Sequence, residues 1–371
     1  MKLIEVGPVL HRFDTVGAFL DEFRVGEGDL IFSVKVIYDA FLDGHVDGAQ
    51  LLLVDKYGTT EPTDEMIDAM IRDADLAQCH RVIAIGGGAV MDIAKVVACS
   101  GGLDMDGIFA QLPDLHRDVE LVLVPTTCGT GSEVTQLASI NRIKLGTKVG
   151  MGCPAMYGDS AVLIPELLHG LPNYVFATSS IDALCHAVES ILSPNSTPVV
   201  KLFGYQAVKM ILSGYRKVVD GGLEARNALM GDFLLASTYA GIAFGTGGCA
   251  AVHALSYQLG GKYHVAHGES NYALFSKILE MYDEYDPAGE LGRYKELVAR
   301  CLGCSKDDAL RTLDVTLQKV LPLKPLHEYG FKEEDIKSFP VSVEANQQRL
   351  ITNSYRPWSI ELSERVYREC F

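Results

Sequence analysis

The run RVIAIGG, Arg81 to Gly87, continues directly into GAVMDIAKVVAC, so an apolar strand enters glycine and leaves as a helix. The same alternation recurs around it. LIFSV and AQLLLV read as strands, and ELVLVPTT reads as another buried strand. TDEMIDAMIRDADL reads as a helix, with Thr63 as N-cap and Asp64 and Glu65 in its first turn. Strands alternating with helices imply a parallel sheet covered by helices, an α/β domain.

After GLPNY, Gly170 to Tyr174, the texture changes. VFATSSIDALCHAVESIL, VVKLFGYQAVKMILSGYRKVV and EARNALMGDFLLASTYAGIAF read as long helices, and strand-like runs become scarce. The boundary falls near Leu171 and Pro172. This gives an α/β domain over 1–171 and an all-helical domain over 172–371.

A net charge of −16 argues against nucleic acid or an anionic membrane as the main partner. No secretory signal and no run of about 20 apolar residues is visible, so neither export nor a membrane span is expected. Nine scattered cysteines, an odd number, suggest reduced thiols in the cytoplasm. Cys301 and Cys304 form a lone CxxC, read as two thiols at a helix end.

Two loops in the first domain suit phosphate. Gly86, Gly87 and Gly88 sit where a strand meets a helix N-terminus, which offers unpaired N–H groups and partial positive charge. VPTTCGTGSEVT, Val124 to Thr135, follows another strand and carries Thr126, Thr127, Thr130, Ser132 and Thr135. Both loops would leave the carboxyl edge of one sheet, where open α/β folds bind ligands. Together they favour a dinucleotide over two unrelated tight turns.

In the second domain Asp182 and His186 lie four apart in SSIDALCHAVES, on one helix face. They form a local ion pair or share a ligand. His253, His264 and His267 cluster in AVHALSYQLGGKYHVAHGESN. A carboxylate with several imidazoles suits zinc or ferrous iron, although a histidine on an apolar face is also an ordinary core residue.

The pieces GGGAVMDIAK, PTTCGTGSEVT, GLP, DALCHAVE, AVHAL and HVAHG, in this order, resemble the iron-containing (group III) alcohol dehydrogenase family. Within it the chain is most similar to the 4-hydroxybutyrate dehydrogenases. The resemblance implies a Rossmann-like first domain and a helical second domain, the dehydroquinate synthase-like architecture. It implies metal ligands at Asp182, His186, His253 and His267, holding Fe²⁺ or else Zn²⁺. It implies that Gly87 and Gly88 meet the pyrophosphate of NAD, or of NADP, and that Asp92, Thr126, Thr127, Thr130 and Lys148 line the cofactor cleft.

The implied activity is hydride transfer between NAD(H) and a small primary alcohol or aldehyde carrying a carboxylate, 4-hydroxybutyrate and succinate semialdehyde, in a homodimer. Another short-chain alcohol or diol dehydrogenase, a dehydroquinate-synthase-type lyase and a non-catalytic binding protein are the competing readings. Many family members have a further histidine where this chain has Tyr257, so the proton relay falls to His264 or Tyr257, with Tyr257 read as packing. His267 and His264 are the catalytic candidates. Val34 stands where many members carry an acid that favours NAD, and Ile164 stands where the family has Asp. Arg142, Lys144 and Lys262 are candidates to meet the substrate carboxylate.

Overall fold

The apolar runs of the first half assemble into one parallel sheet. Its strands are β1 (Val9–Arg12), β2 (Asp29–Ser33), β3 (Gln50–Leu53), β4 (Arg81–Gly86), β5 (Glu120–Pro125) and β8 (Ser160–Leu163), in the order β1-β8-β5-β4-β2-β3. A separate antiparallel hairpin joins β6 (Leu137–Arg142) to β7 (Thr147–Gly152). The computed structural model describes residues 2–58, 61–145 and 147–371. Its chain divides into two units, Val6–Leu171, and Met1–Glu5 together with Pro172–Phe371.

In the first unit the helices are α1 (Val16–Phe23), α2 (Lys35–Ile37), α3 (Asp64–Asp73), α4 (Gly88–Ala98) and α5 (Met105–Ala110). Thr63 caps α3 as its sequence predicts, its hydroxyl accepting from the Met66 N–H at 3.1 Å. β4 is buried along its whole length and β5 from Leu121 on, because helices cover the sheet. Gly86 is the register partner of Pro125, so the two candidate phosphate loops do leave neighbouring strands at one edge. The chain runs from β2 out to β3 and crosses back to β4. Such a reversal opens a crevice at the carboxyl ends.

A buried ion pair locks the opposite edge. Arg81 donates from Nε to Asp29 Oδ1 at 2.9 Å and from its terminal nitrogen to Oδ2 at 2.8 Å, and the two residues are register partners. Asp29→Ala would leave a buried guanidinium without its counter-charge. It is expected to cost about 3–5 kcal/mol, read as a lowered urea midpoint. A loss under about 1 kcal/mol would show that the pair is dispensable.

The second unit holds α6 (Asn173–Leu192), α7 (Pro198–Ala228), α8 (Met230–Gly247), α9 (Ala251–Tyr263), α10 (His267–Tyr285), α11 (Glu290–Leu302), α12 (Ala309–Val320), α13 (Asp335–Asn346), α14 (Gln348–Ile351) and α15 (Ile360–Cys370). Two sequence expectations change here. EARNALMGDF, read as the start of one helix, crosses a break at Leu229 where α7 and α8 meet at 91°. Gly222, with φ of 62°, already departs from helix geometry before it. Residues assigned to the first domain at the amino terminus pack with the helices instead. The Leu3 carbonyl accepts from the Thr197 hydroxyl at 2.6 Å, and the Glu5 N–H donates to Thr246 at 3.2 Å.

α6 is the central helix, packed by α7, α8 and α10. Its length and mean hydropathy of 1.2 would suit a membrane span, yet 89% of that window is buried within the protein. A helix apolar on all sides is what a protein core also demands. Cys301 and Cys304 flank Gly303, the left-handed residue closing α11.

Candidate functional site

On α6, Asp182, His186 and Glu189 are spaced by four and three residues, so they share one face of an otherwise apolar helix. All three are buried. α9 brings His253 to this face in its first turn, and α10 brings His267 as its first residue. The approach of α10 depends on Gly268, where a Cβ would lie 2.0 Å from the Thr178 carbonyl oxygen of α6. Only glycine lets the two backbones come that close.

The four expected ligands meet. One ligand atom from each of Asp182, His186, His253 and His267 lies within 4.8 Å of the others. His267 Nε2 is 3.6 Å and His253 Nε2 3.8 Å from Asp182 Oδ1, and His186 Nδ1 is 4.0 Å from Asp182 Oδ2. One carboxylate and three imidazoles gathered in a largely buried cluster are a donor set suited to a divalent cation. The imidazole of His186 stacks on the phenyl ring of Phe244 and on the imidazole of His253, with centroids at 4.4 and 4.7 Å.

Two further residues shape the cluster, and motif reading had given neither a role. Glu189 Oε2 accepts from His253 Nδ1 at 2.6 Å, and its Oε1 accepts from the Val252 N–H at 2.7 Å. This holds the His253 proton on Nδ1 and leaves the Nε2 lone pair toward the cluster. Its signal in the sequence is its place three residues after His186. Asn271, four residues after His267, donates from Nδ2 to Asp182 Oδ1 at 2.7 Å and lies 3.1 Å from His253 Nε2 and 3.4 Å from His267 Nε2. Ser256 holds its carbonyl oxygen. The amide thus occupies a point where acceptors converge, as they do around a cation.

The electrostatics agree. Burial pushes the Asp182 carboxyl up, but the facing His186, His267 and His253 and the Asn271 amide outweigh it and leave it below its ordinary value. Burial opposes charge on His253, and Cys249 and Glu189 overcome it, raising the imidazole well above the usual range. Burial likewise raises the Cys249 thiol, and His253 and His186 draw it down to about 7. The acids and imidazoles of this site therefore stabilise one another's charged forms.

The other sequence candidates fare differently. His264 does not join the cluster. It is exposed and left-handed, with φ of 55°, and closes α9. Tyr257 does lie beside the ligands, its ring 6.0 Å from that of His267. Lys262 is paired with Asp335 at 2.7 Å, Arg142 with Asp64 at 3.2 Å, and Lys144 lies 3.5 Å from Asp106. Each of these three cations already faces a carboxylate, Lys144 only through a long, exposed contact.

In the first unit, Gly87 caps α4 and Gly88 begins it. A Cβ on Gly88 would sit 2.5 Å from Thr130 Cγ2, and one on Gly87 would be 3.5 Å from Thr127 Cγ2, so the two loops pack on one another. The Thr126 N–H donates to the Gly86 carbonyl at 3.0 Å. Asp92 spends both carboxylate oxygens inside the domain, accepting from the Ser132 hydroxyl at 2.6 Å and the Ser139 N–H at 2.9 Å. Fully buried Lys95 completes this lock, donating to Ser132 at 2.6 Å and to the Leu137 carbonyl at 2.9 Å. Lys148 pairs with Glu61 at 2.8 Å. Asp92 thus positions the second loop from within.

Comparison with known proteins gives the same picture. The iron-containing alcohol dehydrogenase model matches residues 30–165, and the carboxyl-terminal model of that family matches residues 176–371. The chain is 43% identical over 371 residues to 4-hydroxybutyrate dehydrogenase of Clostridium kluyveri, covering 100% of both chains. It is 31% identical over 325 residues to long-chain-alcohol dehydrogenase 1 of Geobacillus thermodenitrificans, covering 83% of this chain and 78% of that one. Its fold matches that of 1,3-propanediol oxidoreductase with a TM-score of 0.84 at 21% identity, covering 100% of each chain. It also matches sulfoacetaldehyde reductase from Bifidobacterium kashiwanohense, solved with NAD⁺, with a TM-score of 0.83 at 18% identity over 99% and 98% of the two chains. Two family models that between them take in both units, and a relative alike along its full length, lead to one conclusion: the chain is an oxidoreductase that belongs to the iron-containing alcohol dehydrogenase family.

Proposed function

We propose that this enzyme transfers a hydride between NAD(H) and a small ω-hydroxy acid or its aldehyde, 4-hydroxybutyrate and succinate semialdehyde. The observation that carries the reading is the convergence of one carboxylate and three imidazoles within 4.8 Å, in a chain 43% identical throughout to a protein named for that substrate. Asp182, His186, His253 and His267 would hold the metal, Fe²⁺ by family and Zn²⁺ as the other cation suited to these donors. Such a cation supplies Lewis acidity, easing loss of the alcohol proton in one direction and polarising the aldehyde carbonyl in the other.

The chain's own residues do the rest. Asp182 contributes the one formal negative charge among the four ligands. Glu189 fixes the ring and tautomer of His253. Tyr257, its phenol pushed up to about 12 by burial, stays an uncharged donor at neutral pH. The backbone N–H groups that open α4 at Gly88, with Gly87 and Thr130 around them, would receive the cofactor pyrophosphate. Thr126 and Thr127 follow in the loop that leaves the neighbouring strand β5. The nine unpaired cysteines support a cytoplasmic setting, and light scattering checks the homodimer that the family resemblance implies.

A panel of short aldehydes tested with NADH and NADPH, on protein loaded with Fe²⁺ or with Zn²⁺, decides the reading. The highest kcat/KM is expected for succinate semialdehyde with NADH and Fe²⁺. A preference for neutral aldehydes would refute the substrate. Turnover of a sugar-acid phosphate without net change in NADH would refute the reaction.

A further inference from the structure

Cys249 is not one of the four clustered ligands, yet the fold sets it against them. It lies in the turn between α8 and α9, four residues before His253. The carboxyl-terminal tail fixes this turn. Buried Asn353 donates from Nδ2 to the Gly247 carbonyl at 2.9 Å and to the Cys249 carbonyl at 3.0 Å. Its Oδ1 accepts from the Ser193 hydroxyl at 2.6 Å and from Asn195 Nδ2 at 2.8 Å. Gly248, with φ of 77°, lets the chain pass this amide, because a Cβ there would lie 2.8 Å from Asn353 Nδ2. The free thiol of Cys249, a carboxylate oxygen of Glu189 and a ring nitrogen of His253 all come within 4.8 Å of one another. Glu189 and His253 are both buried. Among the described residues, no other cysteine joins a group of three potential metal ligands.

We propose that Glu189, Cys249 and His253 form a second cation site, selective for thiophilic divalent ions such as Zn²⁺ and Cd²⁺, which shares His253 with the four-ligand cluster and competes with it. Thiolate, imidazole and carboxylate are all zinc donors, and three protein ligands suffice to hold the ion. Sulfur is the soft member of the set and shifts its preference toward zinc and away from ferrous iron. Asp182, His186, His253 and His267 offer nitrogen and oxygen only, so the two sites differ in the atom that discriminates between the metals. Binding releases the thiol proton to solvent, because the thiolate is the ligand. It also engages the carboxylate that fixes the His253 ring. Zinc held here therefore works against Fe²⁺ held by the four-ligand cluster. Nothing in this depends on the substrate.

The test titrates the metal-free full chain with Cd²⁺ and follows the thiolate-to-metal charge-transfer absorption in the ultraviolet. A saturable band is expected in the wild type and in Asp182→Ala, which disrupts only the four-ligand cluster. Cys249→Ser is expected to weaken this Cd²⁺ binding by more than about 100-fold, since it removes a ligand itself. X-ray absorption of the wild type with one equivalent of Zn²⁺ should show one sulfur neighbour at about 2.3 Å among nitrogen and oxygen neighbours at about 2.0–2.2 Å. Challenged with equimolar Zn²⁺, the iron-loaded wild type should lose more Fe²⁺ than iron-loaded Cys249→Ser. A Cd²⁺ band that survives in Cys249→Ser, or that Asp182→Ala abolishes, overturns the site. So does a zinc spectrum with no sulfur neighbour or with two or more, a measurement that stands even if Cys249→Ser does not fold. Equal iron retention in the two proteins overturns the competition.

Discussion

Asp182→Ala is expected to reduce metal affinity by more than about 100-fold and to bring turnover to background. Replacing a residue that only supports a ligand costs about 10–100-fold, and Asp182 would be a ligand itself. It is also the group on which the others are arranged, with His267 Nε2, His253 Nε2 and His186 Nδ1 at 3.6, 3.8 and 4.0 Å from its oxygens and the Asn271 amide at 2.7 Å. Alanine leaves three imidazoles with no formal negative charge among them. Metal stoichiometry after dialysis reads the loss directly, and a thermal scan reads it without turnover. Wild-type protein should gain about 2.7 kcal/mol of stability at a metal concentration 100-fold above its Kd, and the variant no more than about 0.4 kcal/mol. Chelation of the wild type should reproduce the variant's inactivity, and added Fe²⁺ should reverse it only in the wild type. A variant that retains one tightly bound metal per chain would remove Asp182 from the ligand set.

Glu189→Gln is expected to cost about 10–100-fold in metal affinity although Glu189 is not one of the four clustered ligands. The carboxylate accepts two hydrogen bonds, from His253 Nδ1 at 2.6 Å and from the Val252 N–H at 2.7 Å. Glutamine has one acceptor oxygen. If that oxygen serves Val252, the amide N–H₂ faces His253 Nδ1 and stabilises the tautomer whose proton sits on Nε2, where the lone pair is needed. If the amide turns round, its N–H₂ opposes the Val252 N–H. Either arrangement is frustrated, while the volume of the buried side chain hardly changes. Competition with a chelator of known affinity measures the effect. Unchanged affinity with normal folding would show that His253 keeps its tautomer without Glu189.

Much of this architecture could be read without coordinates, because the relevant information is local. Thr63 announces α3 by a capping interaction spanning three residues, and the apolar run from Val82 to Ile85 announces a covered strand. Asp182 and His186 share a face because a helix turns in 3.6 residues. The order of DALCHAVE, AVHAL and HVAHG carried the family, and with it the four candidate ligands that the structure gathers.

Contacts between distant segments leave no such periodic trace. Glu189 meets His253 across 64 residues, and Asn271 meets Asp182 across 89. Helix spacing places Glu189 on the face of Asp182 and His186, but nothing in the sequence names His253 or Asp182 as the partner of either residue. The same holds for the fates of Asp92 and Lys148, which already have partners inside their domain, and of Lys262, drawn away by Asp335. The break at Leu229 and the docking of Leu3 and Glu5 onto the helical unit were equally illegible.

Sequence alone therefore determined the elements, their alternation and the residue types able to bind a cation, since backbone propensity and side-chain spacing act over a few residues. Tertiary packing alone decided which charges are already neutralised and which are left to meet a ligand. An ion pair depends on distance through space, and only the folded chain defines that distance.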